Sequence, residues 1–222
     1  MMELNFYLIP GMGADSRLYQ RYQLPGKIHF IQWVHPKNSR TLGDYSRLIA
    51  EQVTTDNNVI IGSSMGGMLA TELSRHINPR ATILLSAPIG RHQFPWFLKA
   101  ISASRIHKLI SPRGIMRLVK ICDVFMGFKS KEQRELFYEM LHSNGADFLH
   151  FNVRAVLDWS NIHPPTGDFI QIIGDRDFLF DVSRIPDAIA LKGSGHFTTF
   201  EKSDEICGII KDELNKRNFI YE

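Results

Sequence analysis

Apolar residues fall into short runs separated by stretches with helical spacing. Leu4 to Ile9 ends in Pro10-Gly11-Met12-Gly13, predicting a buried strand that enters a glycine-rich turn, with a helix from about Asp15. Ile28 to Trp33 alternates like a second strand. Thr41 to Val53 places Leu42, Tyr45, Leu48, Ile49 and Gln52 at helical intervals, with Thr41 as N-cap. Val59 to Gly62 is a third strand, Met68, Leu69 and Leu73 carry a helix as far as Asn78-Pro79, and Ala81 to Ser86 is a fourth strand. This alternation predicts a parallel sheet covered by helices on both faces.

The rhythm breaks between Arg91 and His163, which holds no strand pattern but has helical stretches rich in Phe, Trp, Met and basic residues. We read this segment as a helical insertion. Phe169 to Gly174 resumes the sheet, Ala188 to Leu191 adds a short strand, and Glu205 to Leu214 closes as a helix with Ile206, Ile209, Ile210 and Leu214 on one face. The insertion carries 11 Lys/Arg against 6 Asp/Glu, a net of +5, which leaves the remainder at −2. Such a basic segment suits an anionic substrate, and a solvated helix face accounts for it equally well.

The 222 residues suit one domain, and 44% hydrophobic content is that of an ordinary soluble protein. Cys122 and Cys207 have neither metal-ligand nor redox spacing and read as reduced thiols. No segment approaches the roughly 18 consecutive apolar residues of a membrane span, and the N-terminus lacks the features of a signal peptide. A cytoplasmic protein without membrane or nucleic-acid partners is the expectation.

The chemistry centres on Val59-Ile60-Ile61-Gly62-Ser63-Ser64-Met65-Gly66-Gly67, which reads as strand, sharp turn and helix. Ser64, not Ser63, has small residues two before and two after it, Gly62 and Gly66, as a tight turn projecting a serine hydroxyl requires. A serine nucleophile needs a neutral imidazole to take its proton. His196 is the best placed histidine, because Gly193-Ser194-Gly195 permits a mobile loop that returns the ring over the sheet edge. The imidazole needs a carboxylate in turn. Asp175 and Asp177 both follow a strand; we favour Asp177, whose position leaves room to turn back, with Asp175 bracing the turn. The competing reading leaves Asp177 as a turn former. Oxyanion donors are expected at the N–H of Met65, in the first turn of the following helix, and of Met12, with Gly11 as the next candidate on that turn. Gly11-x-Gly13 by itself lacks the third glycine of a dinucleotide fingerprint.

The strand-turn-helix setting, the chain order Ser64, Asp177, His196, the glycine-rich first turn and the insertion before the acid-bearing strand together resemble the α/β-hydrolase superfamily over essentially the whole length. The resemblance implies an α/β fold with a mostly parallel sheet of about six strands and helices on both faces. It implies a core of residues 1–90 and 164–222 with a helical cap at 91–163 over the active site. By the same resemblance Ser64 is the nucleophile, Asp177 the acid, His196 the base, and Met12 and Met65 the oxyanion donors. Family members usually open with two further strands, which this chain lacks before the oxyanion turn. The implied function is a serine hydrolase, similar to carboxylesterases, that cleaves a small-molecule ester or thioester through an acyl-enzyme without metal or organic cofactor. Gly11, Trp96, Phe125 and Phe178 are the candidate substrate contacts. The fold also hosts lyases, carbon–carbon bond-cleaving enzymes and small-ligand receptors or regulatory partners, which remain alternatives. Serine at the elbow disfavours a dehalogenase.

Overall fold

In the computed structural model, which describes residues 3–219 and only the backbone of Phe125, six strands form one sheet. They are β1 (Asn5–Ile9), β2 (Lys27–Phe30), β3 (Asn58–Ser63), β4 (Ala81–Leu85), β5 (Asp168–Gly174) and β6 (Ile189–Leu191). The order is β2-β1-β3-β4-β5-β6 and all five pairings are parallel. The strand order reverses direction beside β1 and β3, where ligands of open α/β sheets bind outside the carboxyl ends.

Alternate residues face opposite layers, as strand geometry requires. Phe6, Leu8, Val59, Ile61, Ile83 and Ile172 pack with Ile206, Ile210 and Leu214 of the C-terminal helix α8 (Ser203–Lys216). Tyr7, Ile9, Ile60, Leu84 and Ile173 face α1 (Leu42–Ala50) and α2 (Met65–Ile77). The two layers bury β3 along its whole length, which is why it reads as an unbroken apolar run. Thr41 does cap α1: its hydroxyl accepts from Asp44 N–H at 3.0 Å, and the Asp44 carboxylate returns the bond to Thr41 N–H at 3.1 Å.

Residues 91–157 form α3 (Trp96–Ser104), α4 (Pro112–Ile121), α5 (Lys131–Asn144) and α6 (Ala146–Leu157), joined by short 3₁₀ turns. Their buried side chains join both apolar layers, Phe137, Met140 and Leu149 on one side and Ala155 on the other. Several of the segment's cations are committed locally: Lys108 pairs with Asp158 at 2.8 Å, Arg134 with Asp123 at 3.2 Å, and Arg91 donates to Leu157 and Trp159 carbonyls. A short α7 (Thr198–Glu201) precedes α8. Among the described residues no helix is long and apolar enough to cross a membrane. Cys122 is exposed and Cys207 buried, both as free thiols.

Three elements differ from the sequence expectation. The helix expected from Asp15 is a single 3₁₀ turn, Ser16–Tyr19, because Asp15 caps Arg17 N–H and the chain is directed back to the sheet by Leu24-Pro25-Gly26. Strand β2 ends at Phe30, three residues before Trp33, because the Trp33 indole is drawn off to donate to Ala14 O at 2.7 Å. The last helix begins two residues before Glu205, at Ser203.

Candidate active site

Ser64 lies between the last residue of β3 and the first of α2, with φ +52° and ψ −117°. A non-glycine residue held there costs about 1–3 kcal/mol and persists only when its surroundings impose it. They do so from three sides. Ser64 N–H continues the sheet ladder to Leu85 O at 2.8 Å. A Cβ on Gly66 would lie 2.3 Å from Ile9 O, and one on Gly62 would lie 2.2 Å from Gly66 O, so only glycine lets the turn close against the end of β1. Tyr19 donates its hydroxyl to the same Ile9 O at 2.7 Å; burial pushes that phenol's pKa far up and keeps it a neutral donor.

His196 Nε2 is 2.9 Å from Ser64 Oγ, and its Nδ1 is 2.9 and 3.1 Å from the two Asp177 oxygens. Both side chains of the His–Asp pair are buried. Asp177 Oδ1 also accepts from Leu179 N–H at 2.9 Å and Phe180 N–H at 3.1 Å. An ionised carboxylate only accepts, so Nδ1 carries the proton and Nε2 presents its lone pair to the serine hydroxyl. The structure therefore brings Ser64, His196 and Asp177 into one hydrogen-bonded line across segments more than a hundred residues apart. Ser63 instead buries its hydroxyl against Thr199 Oγ1 at 2.8 Å.

Asp175 has the other task. Its Oδ1 accepts from Gly193 N–H at 2.6 Å and Ser194 N–H at 3.2 Å, tying the end of β5 to the histidine loop. Gly174 allows that approach, since a Cβ there would meet Ser194 O at 2.3 Å. The loop that the glycines were expected to leave mobile is thus fastened at Gly193 and Ser194.

The turn after β1 abuts the serine: a Cβ on Gly11 would be 3.4 Å from Ser64 Cβ. Ala14 N–H closes the turn on Gly11 O at 3.0 Å, with Gly13 at φ +74°. Met12 N–H, on this turn, and Met65 N–H, at the start of α2, make no hydrogen bond among the described residues. The positive end of the α2 dipole adds to the field at Met65. Beside the turn, burial pushes the Asp15 carboxyl up, but its hydrogen bonds and ion pair with Arg17 outweigh this and hold it below the usual range.

Trp96 and Phe178 line one cleft of about 550 Å³ with Phe94, Phe97, Leu179 and Asp177. Both are rim residues, Trp96 being 73% and Phe178 58% exposed, and Phe97 stacks on Phe178 with ring centroids 6.0 Å apart. The side chain of Phe125 lies outside the described residues. Sequence reasoning missed Thr199, which occupies Ser63, and Lys129, which reaches Gly193 O at 2.7 Å. Nothing distinguished Lys129 from the ten other Lys/Arg of its segment.

Comparison with known proteins places this geometry in context. A comparison with curated protein sequences finds no match. Among solved structures, a thermophilic esterase from Thermogutta terrifontis superimposes with a TM-score of 0.69 at 16% identity, covering 96% of this chain and 90% of that one. A lipase-esterase related protein from Clostridium acetobutylicum gives 0.67 at 16%, covering 98% and 94%. The type II thioesterase BorB from the borrelidin biosynthetic cluster gives 0.68 at 15%, covering 96% and 93%. At such identities these likenesses show a shared fold. The model of the "Alpha/beta hydrolase family" matches residues 6–208, nearly the whole length and every strand but the first residue of β1, and the chain therefore belongs to the alpha/beta hydrolase family.

Proposed function

We propose that this hydrolase cleaves a small-molecule carboxylic ester or thioester through an acyl-enzyme on Ser64. The observation that carries the reading is the Ser64–His196–Asp177 line, with Nε2 facing Ser64 Oγ at 2.9 Å. Ser64 Oγ attacks the carbonyl carbon as Nε2 takes its proton, and the buried Asp177 carboxylate stabilises the imidazolium. The oxygen that becomes negative is received by Met12 and Met65 N–H; loss of one such donor costs roughly 100- to 1000-fold in turnover. The C–O or C–S bond then breaks as His196 protonates the departing alcohol or thiol. Water, deprotonated by His196, attacks the acyl-enzyme and releases the acid. Helices α3 to α6, within segment 91–163, serve as the cap, and the aromatic cleft at Trp96, Phe97 and Phe178 offers an apolar wall to the acyl or aryl part. The names carried by the fold neighbours, esterase and thioesterase, agree with this chemistry.

Incubation with 4-nitrophenyl esters and acyl-coenzyme A thioesters of two to eight carbons tests the proposal. The expected result is turnover that disappears in Ser64→Ala while the circular dichroism spectrum is unchanged. Fluorophosphonate labelling at Ser64 with no turnover of any ester or thioester would instead indicate a lyase or a ligand receptor.

A further inference from the structure

Residues 126–144 grip both loops that bear on Ser64. At the histidine loop, Phe197 N–H donates to Met126 O at 2.9 Å. Gly127, at φ +71°, lets the two backbones meet: a Cβ on it would stand 3.1 Å from Gly195 Cα and 3.6 Å from His196 N. Lys129 Nζ donates to Gly193 O at 2.7 Å and forms an ion pair with Glu201, whose side chain is 9% exposed and also accepts from Ser194 Oγ at 3.4 Å. Phe128 packs edge-on to Phe197 with centroids 4.9 Å apart.

At the oxyanion turn, Asn144 Nδ2 donates to Ala14 O at 3.2 Å, and a Cβ on Gly13 would strike Leu141 Cδ1 at 2.7 Å. Phe137 connects the two grips. Its ring lies 3.7 Å from that same Cβ position and has its centroid 5.4 Å from Phe128 and 6.2 Å from Phe197.

We infer that residues 126–144 act as a fixed brace for the catalytic groups, in which Lys129 is a positioning residue that sets the His196 loop against Ser64. This rests on the assignment of Ser64 and His196 proposed above. Gly193 N–H is held by Asp175 and Gly193 O by Lys129, so the loop is pinned from the core and from the insertion at one residue. Lys129 is half exposed, so its removal opens no core cavity. What it leaves behind is a nearly buried Glu201 carboxylate without its cation, five residues after His196, and Gly193 O without its donor, three residues before it. A displacement of about 1 Å between nucleophile and base costs up to about 100-fold in rate.

The test is the second-order rate of Ser64 labelling by a fluorophosphonate at 25 °C, which needs no knowledge of the substrate. Lys129→Met is expected to label about tenfold more slowly, Lys129→Arg to return within about threefold of the parent, and Lys129→Met/Glu201→Gln to recover part of the loss. A melting temperature recorded for each variant separates this from general destabilisation, which would lower the transition without slowing a reaction run well below it. Equal rates for the parent and Lys129→Met overturn the brace and leave the assignment of Ser64 standing. A parent protein that never labels at Ser64 overturns both.

Discussion

The sharpest contrast in this site is between its two neighbouring aspartates. In Asp177→Asn, the retained Oδ1 stays with Leu179 and Phe180 N–H at 2.9 and 3.1 Å, so the new NH₂ group takes the Oδ2 position, 2.9 Å from His196 Nδ1. An NH₂ group cannot accept the Nδ1 proton. Oδ1 lies 3.1 Å from Nδ1 but already accepts from two backbone N–H groups, so the NH₂ at the nearer position favours the tautomer protonated at Nε2, which cannot take a proton from Ser64. In Ser-His-Asp enzymes this inversion lowers turnover by about 10⁴-fold, or about 5 kcal/mol of activation free energy. Asp175→Asn keeps an oxygen toward Gly193 and Ser194 and exchanges a charged acceptor for a neutral one. That change is worth about 1 kcal/mol, so less than about tenfold in rate is expected. Initial rates of 4-nitrophenyl butyrate hydrolysis for the two variants, purified side by side, make the comparison. A larger loss at Asp175→Asn than at Asp177→Asn refutes the reasoning.

Other expectations follow from single contacts. Gly66→Ala drives a methyl into Ile9 and Pro10 carbonyls at 2.3 and 2.4 Å, and should abolish labelling at Ser64 and lower the melting temperature. Ser63→Ala breaks only the bond to Thr199, so labelling should persist with a stability loss of about 1 kcal/mol in urea unfolding; loss of labelling would make Ser63 the nucleophile. Thr41→Ala removes the capping box of α1 and should cost about 1 kcal/mol by the same measurement with turnover unaffected. Because Arg17 holds Asp15 below its ordinary pKa, the pair's stabilisation is present above the unfolded carboxyl value and is lost as pH falls through the depressed one. Melting temperatures of the parent and Arg17→Met should therefore differ at pH 7 and converge in acid, and a gap that is constant with pH would contradict this.

The sheet was legible because its central strands β1, β3 and β4 are buried on both faces and therefore run nearly unbroken in apolar residues, as in Val59 to Ile61, while the helices between them carry one apolar stripe. The serine turn was legible for a steric reason: Gly62 and Gly66 sit where any Cβ would collide with backbone, so the spacing itself encodes the fold. The choice of Asp177 over Asp175 came from reach alone, and the structure brings Asp177, not Asp175, to His196. What the sequence did not reveal depends on contacts between distant segments. The end of β2 is set by where the Trp33 indole finds Ala14 O, and the Lys129 link to Gly193 joins residues 64 apart with no local signal at either end. The contacts that hold the histidine loop were illegible for the same reason: its glycines show only that the backbone is free to turn, while its partners Asp175 and Lys129 lie 18 and 64 residues from Gly193.

The central claim is that Ser64 is the nucleophile activated by His196, and mass spectrometry of the fluorophosphonate-treated protein tests it most directly. One adduct per chain, mapped to the peptide containing Ser64 and absent from both Ser64→Ala and His196→Ala, is the predicted result. An adduct on another residue, or labelling of His196→Ala as fast as the parent, would contradict it.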